Sequence, residues 1–223
     1  MRLQNRLTKL AFLISFLYIF INISISQSIS NICVHNPLLC ETQNNRKIVV
    51  LIGGPAAGKG TQAEKIITDY DFVHISTGEI LRHEAEKDVN LAEKIQTGSL
   101  ISDTYVAKLL HKEISKTDPW KPILLDGFPR TAEQSYLLEA YEPVMAIYIK
   151  VSSSVMEKRL RSRGRADDSN LEARRRRIES FFIDTLPVIE YYDFQEILCV
   201  VDGDQDVESV YDSIISSCIS KIL

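Results

Sequence analysis

The sequence of 223 residues lacks paired metal-binding or redox cysteines. Its four cysteines are Cys33, Cys40, Cys199 and Cys218, and no two of them form a C-x-x-C motif. This spacing excludes a zinc ribbon and a thioredoxin-like dithiol. We expect four unrelated thiols, and a Cys33–Cys40 disulfide is the alternative if that stretch persists in an oxidising compartment.

An excess of positive charge is also missing. The chain has 26 Lys and Arg against 30 Asp and Glu, which gives a formal net charge of −4. A protein that holds nucleic acid through an overall basic field has the opposite balance. We therefore expect no nucleic-acid partner, and any phosphate group must be bound by a local basic cluster.

Acidic residues are absent from the first forty positions, which instead contain basic residues followed by an apolar run. Arg2, Arg6 and Lys9 precede an apolar run over residues 10–21, which only Ser15 interrupts. This run is too short to span a hydrocarbon layer of ~30 Å, but it matches the apolar core of a secretory signal peptide. We expect residues 1–44 to be a targeting segment, with an uncleaved membrane anchor, a mitochondrial presequence or a mis-assigned start as alternatives.

The remaining residues, 45–223, alternate between short apolar runs and segments of helical periodicity. Such alternation predicts an α/β fold with a mostly parallel sheet that carries helices on both faces. The predicted strands are 46–52, 73–76, 122–126, 144–151 and 196–201. The predicted helices are 61–70, 77–87, 103–115, 131–141, 155–162, 171–185 and 207–222.

A glycine-rich turn follows the first predicted strand. Residues 53–61 read G-G-P-A-A-G-K-G-T, so Gly53, Gly58 and Lys59 have the P-loop spacing. Such a turn directs backbone N–H groups and a helix N-terminus at phosphate oxygens, and the lysine adds a point charge. Gly60 replaces the usual Ser or Thr, which moves the hydroxyl to Thr61. The candidate residues for binding the donor phosphates here are Gly54, Ala56, Ala57, Gly58, Lys59, Gly60 and Thr61. The P-loop alone does not distinguish GTPases, ATPases and small-molecule kinases.

Three further motifs carry a family resemblance. They are H-I-S-T-G-E-I-L-R at 74–82, L-D-G-F-P-R-T at 125–131 and G-R-A-D-D at 164–168. Together with the P-loop, these motifs resemble those of adenylate kinases, from about Arg46 to the C-terminus. The resemblance implies a P-loop NTPase three-layer sandwich with a parallel five-stranded sheet. It also implies a nucleoside monophosphate (NMP)-binding insertion at about 76–105 and a short lid at about 162–172.

On the acceptor side, the resemblance implies that Thr77, Arg82 and Arg130 meet the monophosphate. Gln134 lies four residues after Arg130, and its amide can both donate to and accept from an adenine edge. UMP/CMP kinases, which resemble the chain almost as strongly, typically carry Ala at the position of Thr77 and Asn at that of Gln134. The sequence therefore favours AMP. The remaining acceptor-site candidates are Ser99, Leu100, Ile101, Gly127, Phe128, Pro129, Arg165 and Arg177.

Basic residues cluster near the predicted lid. Residues 158–177 contain nine Lys or Arg and three Asp or Glu, a local charge of +6. The resemblance implies that Arg163, Arg165 and one of the pair Arg176 and Arg177 stabilise the transferring phosphoryl group. Counting forward from Arg165 favours Arg176, and counting back from Pro187 favours Arg177.

Two further assignments concern the donor nucleotide. Asp126 ends a predicted strand and is expected to hold Mg²⁺ through water, as related P-loop proteins do. The resemblance implies that the backbone of Gln205 contacts the donor adenine. The segment around Gly164 has no Cys or His cluster, so we expect no zinc.

These expectations combine into one reaction, the reversible transfer of a phosphoryl group from ATP·Mg to AMP to give two ADP. UMP/CMP kinase is the alternative, and an inactive, membrane-anchored nucleotide-binding protein is the alternative from another class. We expect a monomer with a soluble kinase domain, which the N-terminal segment delivers to the secretory route or an organelle. The location would be cytoplasmic if that segment has no function.

Overall fold

The computed structural model describes residues 46–97, 101–164 and 170–223, which belong to a compact unit spanning residues 45–223. Short aliphatic and β-branched runs form a parallel sheet in the order β2-β3-β1-β4-β5. The predicted five-stranded parallel α/β sheet is confirmed. Its strands are β1 (Ile48–Ile52), β2 (Val73–Ser76), β3 (Ile123–Asp126), β4 (Met145–Lys150) and β5 (Leu198–Asp202).

Helices surround this sheet and bury its central strands. Every residue of β1 is buried, which is typical of a parallel strand covered on both faces. The helices are α1 (Lys59–Asp69), α2 (Thr77–Ala85), α3 (Val89–Thr97), α4 (Asp103–Ile114), α5 (Ala132–Leu138), α6 (Ser153–Ser162), α7 (Leu171–Ser180), α8 (Leu186–Phe194) and α9 (Val207–Ser217).

Strand β1 lies at the centre of the sheet, and this position determines where the site can form. Val50 pairs with Leu125 of β3 on one side and Ala146 of β4 on the other, and all three are fully buried. Because all strands are parallel, their carboxyl ends meet at one edge of the sheet. Ligands bind at that edge in open α/β sheets.

Helix α3 was missed by the sequence analysis, which predicted no helix between residues 87 and 103. Its start is stabilised by Asp88, whose carboxylate accepts hydrogen bonds from the backbone N–H groups of Asn90 and Leu91. Leu91 is the buried residue of this helix, so the sequence carries almost no apolar periodicity. A capping signal without an apolar stripe is weak.

The second missed helix is α8, because the sequence analysis ended its preceding helix at residue 185. One π-helical turn, Phe181–Thr185, connects α7 to α8. Pro187 lies in the first turn of α8, where proline is tolerated because that N–H needs no intrahelical partner. The chain therefore continues as a helix through a residue that usually marks a boundary.

The expectation of four unrelated thiols was wrong for two of them. Cys199 of β5 and Cys218, which follows α9, form a disulfide with a Cα–Cα distance of 5.9 Å. Both cysteines are buried, because α9 packs back along β5 after the intervening loop. Their separation of 19 residues spans a strand, a loop and a helix, so spacing alone does not reveal the pairing. Cys33 and Cys40 lie outside the described residues.

The expectations for the N-terminal segment fall on residues that are not described. Within the described ranges, no helix has the length and apolar character needed to cross a membrane. The boundary at residue 44 and the limits of the NMP-binding part and the lid stay predictions.

Candidate active site

A cleft of about 740 Å³ opens at the carboxyl edge of the sheet. The loops that follow β1, β3 and β5 line it, together with parts of α2, α6 and α7. The chain therefore brings three of its quoted motifs to one site, together with Arg163, which directly precedes the fourth.

The glycine-rich turn packs closely against its surroundings. A Cβ on Gly54 would lie 2.2 Å from Sδ of Met156 in α6, and one on Gly53 would lie 3.0 Å from the carbonyl oxygen of Ile149 in β4. Ala56 and Gly58 have φ values of 58° and 97°, in the left-handed region that a tight turn uses. Helix α1 begins directly afterwards at Lys59, and the first-turn N–H groups of a helix lack intrahelical acceptors.

Lys59 carries the positive charge of this turn. Its Nζ donates to the carbonyl oxygens of Gly53, at 2.8 Å, and Gly54, at 3.2 Å. The predicted donor residues of this region line the cleft, except that Gly54 lies behind the loop against Met156. The residues that line it are Ala56, Ala57, Gly58, Lys59, Gly60 and Thr61.

A second turn, which follows β3, forms the opposite wall. Gly127 has a φ of 82°, and a Cβ there would lie 2.8 Å from Oγ1 of Thr77 and 3.2 Å from Nη2 of Arg130. Only glycine therefore allows these two side chains to pack around the turn. Gly127, Pro129 and Arg130 line the cleft, whereas Thr77 and Phe128 are buried beneath its surface.

Three arginines, Arg82 of α2, Arg130 and Arg177 of α7, converge in the cleft. Arg130 is exposed on the cleft side but lies deep among protein atoms, and desolvation lowers its pKa. Asp126 opposes this pKa shift, and the positive charges of Arg177 and Arg82 add to it. Three positive charges held close together repel one another, and an anion bound among them would offset that cost.

The structure distinguishes the two lid candidates of α7 by their position. Arg177 lines the cleft, and its Nη2 donates to the carbonyl oxygen of Ile95 at 2.9 Å. Arg176 is exposed, and its guanidinium lies 3.6 Å from the carboxylate of Glu172. Arg163, which caps the end of α6, also lines the cleft.

Gln134 is 3% exposed and lies behind the cleft surface. Its Oε1 accepts from the backbone N–H of Arg130, and its Nε2 donates to Oδ1 of Asp103, both at 2.7 Å. Ile101, which precedes α4, lines the cleft directly. The other predicted acceptor-site residues of that segment, Ser99 and Leu100, and the lid residue Arg165 lie outside the described residues.

Asp126 lines the cleft at the end of β3. It pairs in register with Leu51 of β1, two residues before the P-loop starts, so its carboxylate is near the predicted phosphate site. No group of three or more Asp, Glu, His or Cys side chains could hold a metal among the residues that the structure describes. A single carboxylate fits Mg²⁺, which binds one or two carboxylates and takes its remaining ligands from water and phosphate oxygens.

The loop after β5 forms the far end of the cleft. Gln205 lines it, as predicted for a residue near the donor base, and so does Arg159, which the sequence analysis missed. The Nη2 of Arg159 donates to the carbonyl oxygen of Gly203 at 3.0 Å and so holds this loop against α6. Arg159 lies four residues before Arg163 on the same helix, and this spacing is the signal that could have identified it.

Comparison with known proteins agrees with this geometry. The adenylate kinase family profile matches residues 51–197. The chain is 39% identical to UMP-CMP kinase 1 of Oryza sativa subsp. japonica over 75% of its own length and 72% of that protein. It is 33% identical to adenylate kinase isoenzyme 1 of Oryctolagus cuniculus, over 78% of this chain and 95% of the relative. The chain is a nucleoside monophosphate kinase and belongs to the adenylate kinase family.

Proposed function

We propose that the protein transfers a phosphoryl group reversibly from ATP·Mg to AMP and so forms two ADP. The observation that carries this proposal is the convergence of Arg82, Arg130 and Arg177 in the same cleft as the P-loop lysine, Lys59. Two nucleotides that meet end to end bring several negative charges together, and these cations offset their repulsion.

The acceptor phosphate would lie on the wall formed by α2 and the turn after β3. Arg82 and Arg130 present guanidinium groups there, which can grip phosphate oxygens in a bidentate manner. Thr77, Gly127, Phe128 and Pro129 would shape this wall, and the two buried residues among them would act from beneath it. A phosphate acceptor is already anionic, so the reaction needs no general base.

The donor phosphates would lie on the P-loop and the N-terminus of α1. Lys59 would leave its loop carbonyl contacts to bind the β- and γ-phosphates. Asp126 would hold Mg²⁺ through water, and the ion would neutralise charge on the donor phosphates. Gln205 and the loop after β5 would contact the donor base.

The lid arginines would complete the site during transfer. Arg163 lines the cleft from α6, and Arg165 follows it by two positions. We assign the third lid arginine to Arg177, since it lies in the cleft beside Arg130, whereas Arg176 points to Glu172. Closure of the lid and of the acceptor-side helices would exclude water from the transferring group.

The acceptor base has two candidates. Thr77 and Gln134 support AMP, because these residues match the adenylate kinase motif rather than the UMP/CMP kinase one. The relative with 39% identity is named a UMP-CMP kinase, and this supports a pyrimidine acceptor. Overall identity averages over the whole chain, whereas these two positions belong to the predicted acceptor site, so we favour AMP.

The test measures kcat/KM of the full-length protein for AMP, UMP and CMP with ATP·Mg as donor, in an assay that detects ADP. We expect AMP to be the best acceptor by at least about tenfold, a difference that pocket contacts readily produce. A preference for UMP or CMP would overturn the proposed acceptor. Chelation of Mg²⁺ should abolish the transfer with every acceptor.

We further propose that the mature protein is a monomer in an ATP-containing compartment reached through the secretory route or organelle import. Support comes from the signal-like residues 10–21 and from the Cys199–Cys218 disulfide, since disulfides persist in oxidising compartments. Membrane contact would occur only through an uncleaved N-terminal segment. N-terminal sequencing of the mature protein, combined with cell fractionation and native mass, tests these points. A chain that begins at Met1 in the cytosol would contradict them.

A further inference from the structure

The buried amide of Gln134 is held at both ends. Its Oε1 accepts from the backbone N–H of Arg130, and its Nε2 donates to Oδ1 of Asp103. Thr131 extends this network, because its hydroxyl donates to Oδ2 of Asp103 and accepts from the backbone N–H of Gln134. The result is a ring of hydrogen bonds that joins the first residue of α4 to the start of α5.

The chemistry of these partners determines the orientation of the Gln134 amide. A backbone N–H can only donate, and a carboxylate can only accept. A reversed Gln134 amide would place N–H against the N–H of Arg130 and oxygen against the carboxylate of Asp103. Both contacts would be unfavourable in a residue that is 3% exposed, where unpaired polar groups are costly.

This orientation matters because bases differ in the order of their donors and acceptors. Adenine presents an amino donor beside the unprotonated N1, and cytosine presents an amino donor beside N3. Hypoxanthine and uracil show the reverse order, a carbonyl oxygen beside a ring N–H. A freely rotating glutamine amide pairs with either order, since it carries both an acceptor and a donor. An amide of fixed orientation pairs with only one.

We propose that Asp103 is a positioning residue that fixes the Gln134 amide and thereby makes the acceptor site select an amino base over the matching oxo base. The inference rests on the proposed function, because it requires the acceptor base to meet Gln134. That contact requires the side chain, which is 3% exposed in this structure, to become accessible when the acceptor binds. Asp103 does not touch the substrate in this account and acts through Gln134 alone. It therefore controls the choice between AMP and IMP, which share the same purine frame, ribose and phosphate.

The test compares kcat/KM for AMP and IMP in the full-length wild type and in Asp103→Asn. The isosteric amide can donate as well as accept, so it removes one of the two constraints on Gln134. We expect wild type to prefer AMP by at least about 100-fold, as for sites built to hydrogen-bond a substrate group. We expect the variant to lower this ratio by about tenfold or more, through a higher KM for AMP and a gain with IMP.

Two further variants separate specificity from folding. Glu113→Gln is the matched control, because Glu113 lies on the same helix and pairs only with Lys116 among its described contacts, at 2.7 Å. It should leave the AMP/IMP ratio unchanged. Asp103→Ser provides a second test should Asp103→Asn fold poorly, since a hydroxyl also donates and accepts. A merely structural role would lower the activity with AMP and IMP equally.

The outcomes for the two proposals differ. An unchanged AMP/IMP ratio in a folded Asp103 variant would overturn the role of Asp103 and leave AMP as the acceptor. A wild type that prefers CMP to AMP but rejects UMP would overturn the proposed acceptor and support amino selection. A wild type that uses IMP as readily as AMP would overturn the inference directly.

Discussion

The guanidinium of Arg177 donates to the carbonyl oxygen of Ile95 at 2.9 Å, which connects α7 to α3. Helix α7 follows the predicted lid, and α3 lies in the predicted NMP-binding part. Arg176 makes a weaker contact to the same helix, at 3.5 Å to the carbonyl oxygen of Thr97. These contacts connect the helix that follows the predicted lid to the predicted NMP-binding part. We therefore expect the lid and the NMP-binding part to move together when they close over the substrates.

Replacement of Arg177 by Ala should lower kcat by on the order of 10²–10³, the effect of removing one preorganised charge from a transition state. Arg176→Ala is the matched control, because it removes an adjacent arginine that faces Glu172, and it should change kcat by less than about threefold. Steady-state kinetics with saturating ATP·Mg and AMP measures both. The reverse order of effects would show that Arg176 is the lid residue.

Lys59 is expected to be essential for turnover, since it supplies the charge that the P-loop places against the donor phosphates. Lys59→Met keeps most of the apolar stem and should lower kcat by at least about 10³-fold. Lys65→Met serves as control on the same helix, because Lys65 pairs with Glu208 at the surface. Wild-type turnover in Lys59→Met would refute the assigned role.

The sequence predicted the parts of the site in which one local segment contains the whole signal. The strand at Ile48–Ile52, the glycine turn and Lys59 follow one another directly, so spacing was sufficient to predict a phosphate site there. The burial of Gln134 could not be predicted this way. Its partner Asp103 lies 31 residues earlier, and only the packing of α4 against α5 brings the two together.

Contacts between distant segments also explain the other features that the sequence analysis missed. Arg159 contacts Gly203, which lies 44 residues further along the chain and follows β5, the strand that pairs with β4. Helix α3 has a cap at Asp88 but few buried residues, so no apolar pattern identified it. Contacts between distant segments depend on topology, and local residue patterns do not contain that information.

Gly54 and Gly60 should respond differently to Ala, although both lie in the P-loop. A Cβ at Gly54 would meet the sulfur of Met156 at 2.2 Å, whereas one at Gly60 would meet nothing within 4 Å. Gly54→Ala should destabilise the protein by about 1–3 kcal/mol through overpacking, or roughly 2–4 °C in Tm for each kcal/mol. Thermal unfolding checks this, and equal Tm values for the two variants would contradict the close packing of the loop.

The Cys199–Cys218 disulfide should stabilise the domain, since it closes a segment of 19 residues that contains the loop with Gln205. Such a loop constrains the unfolded chain by about 3 kcal/mol. Urea unfolding of the wild type should therefore shift to lower urea concentration after reduction with dithiothreitol, by an amount that matches this free energy. The Cys199→Ser/Cys218→Ser double variant should unfold like the reduced wild type and show no response to dithiothreitol. Peptide mapping under non-reducing conditions identifies the bond itself, and free thiols at both positions in protein purified without reductant would contradict the pairing.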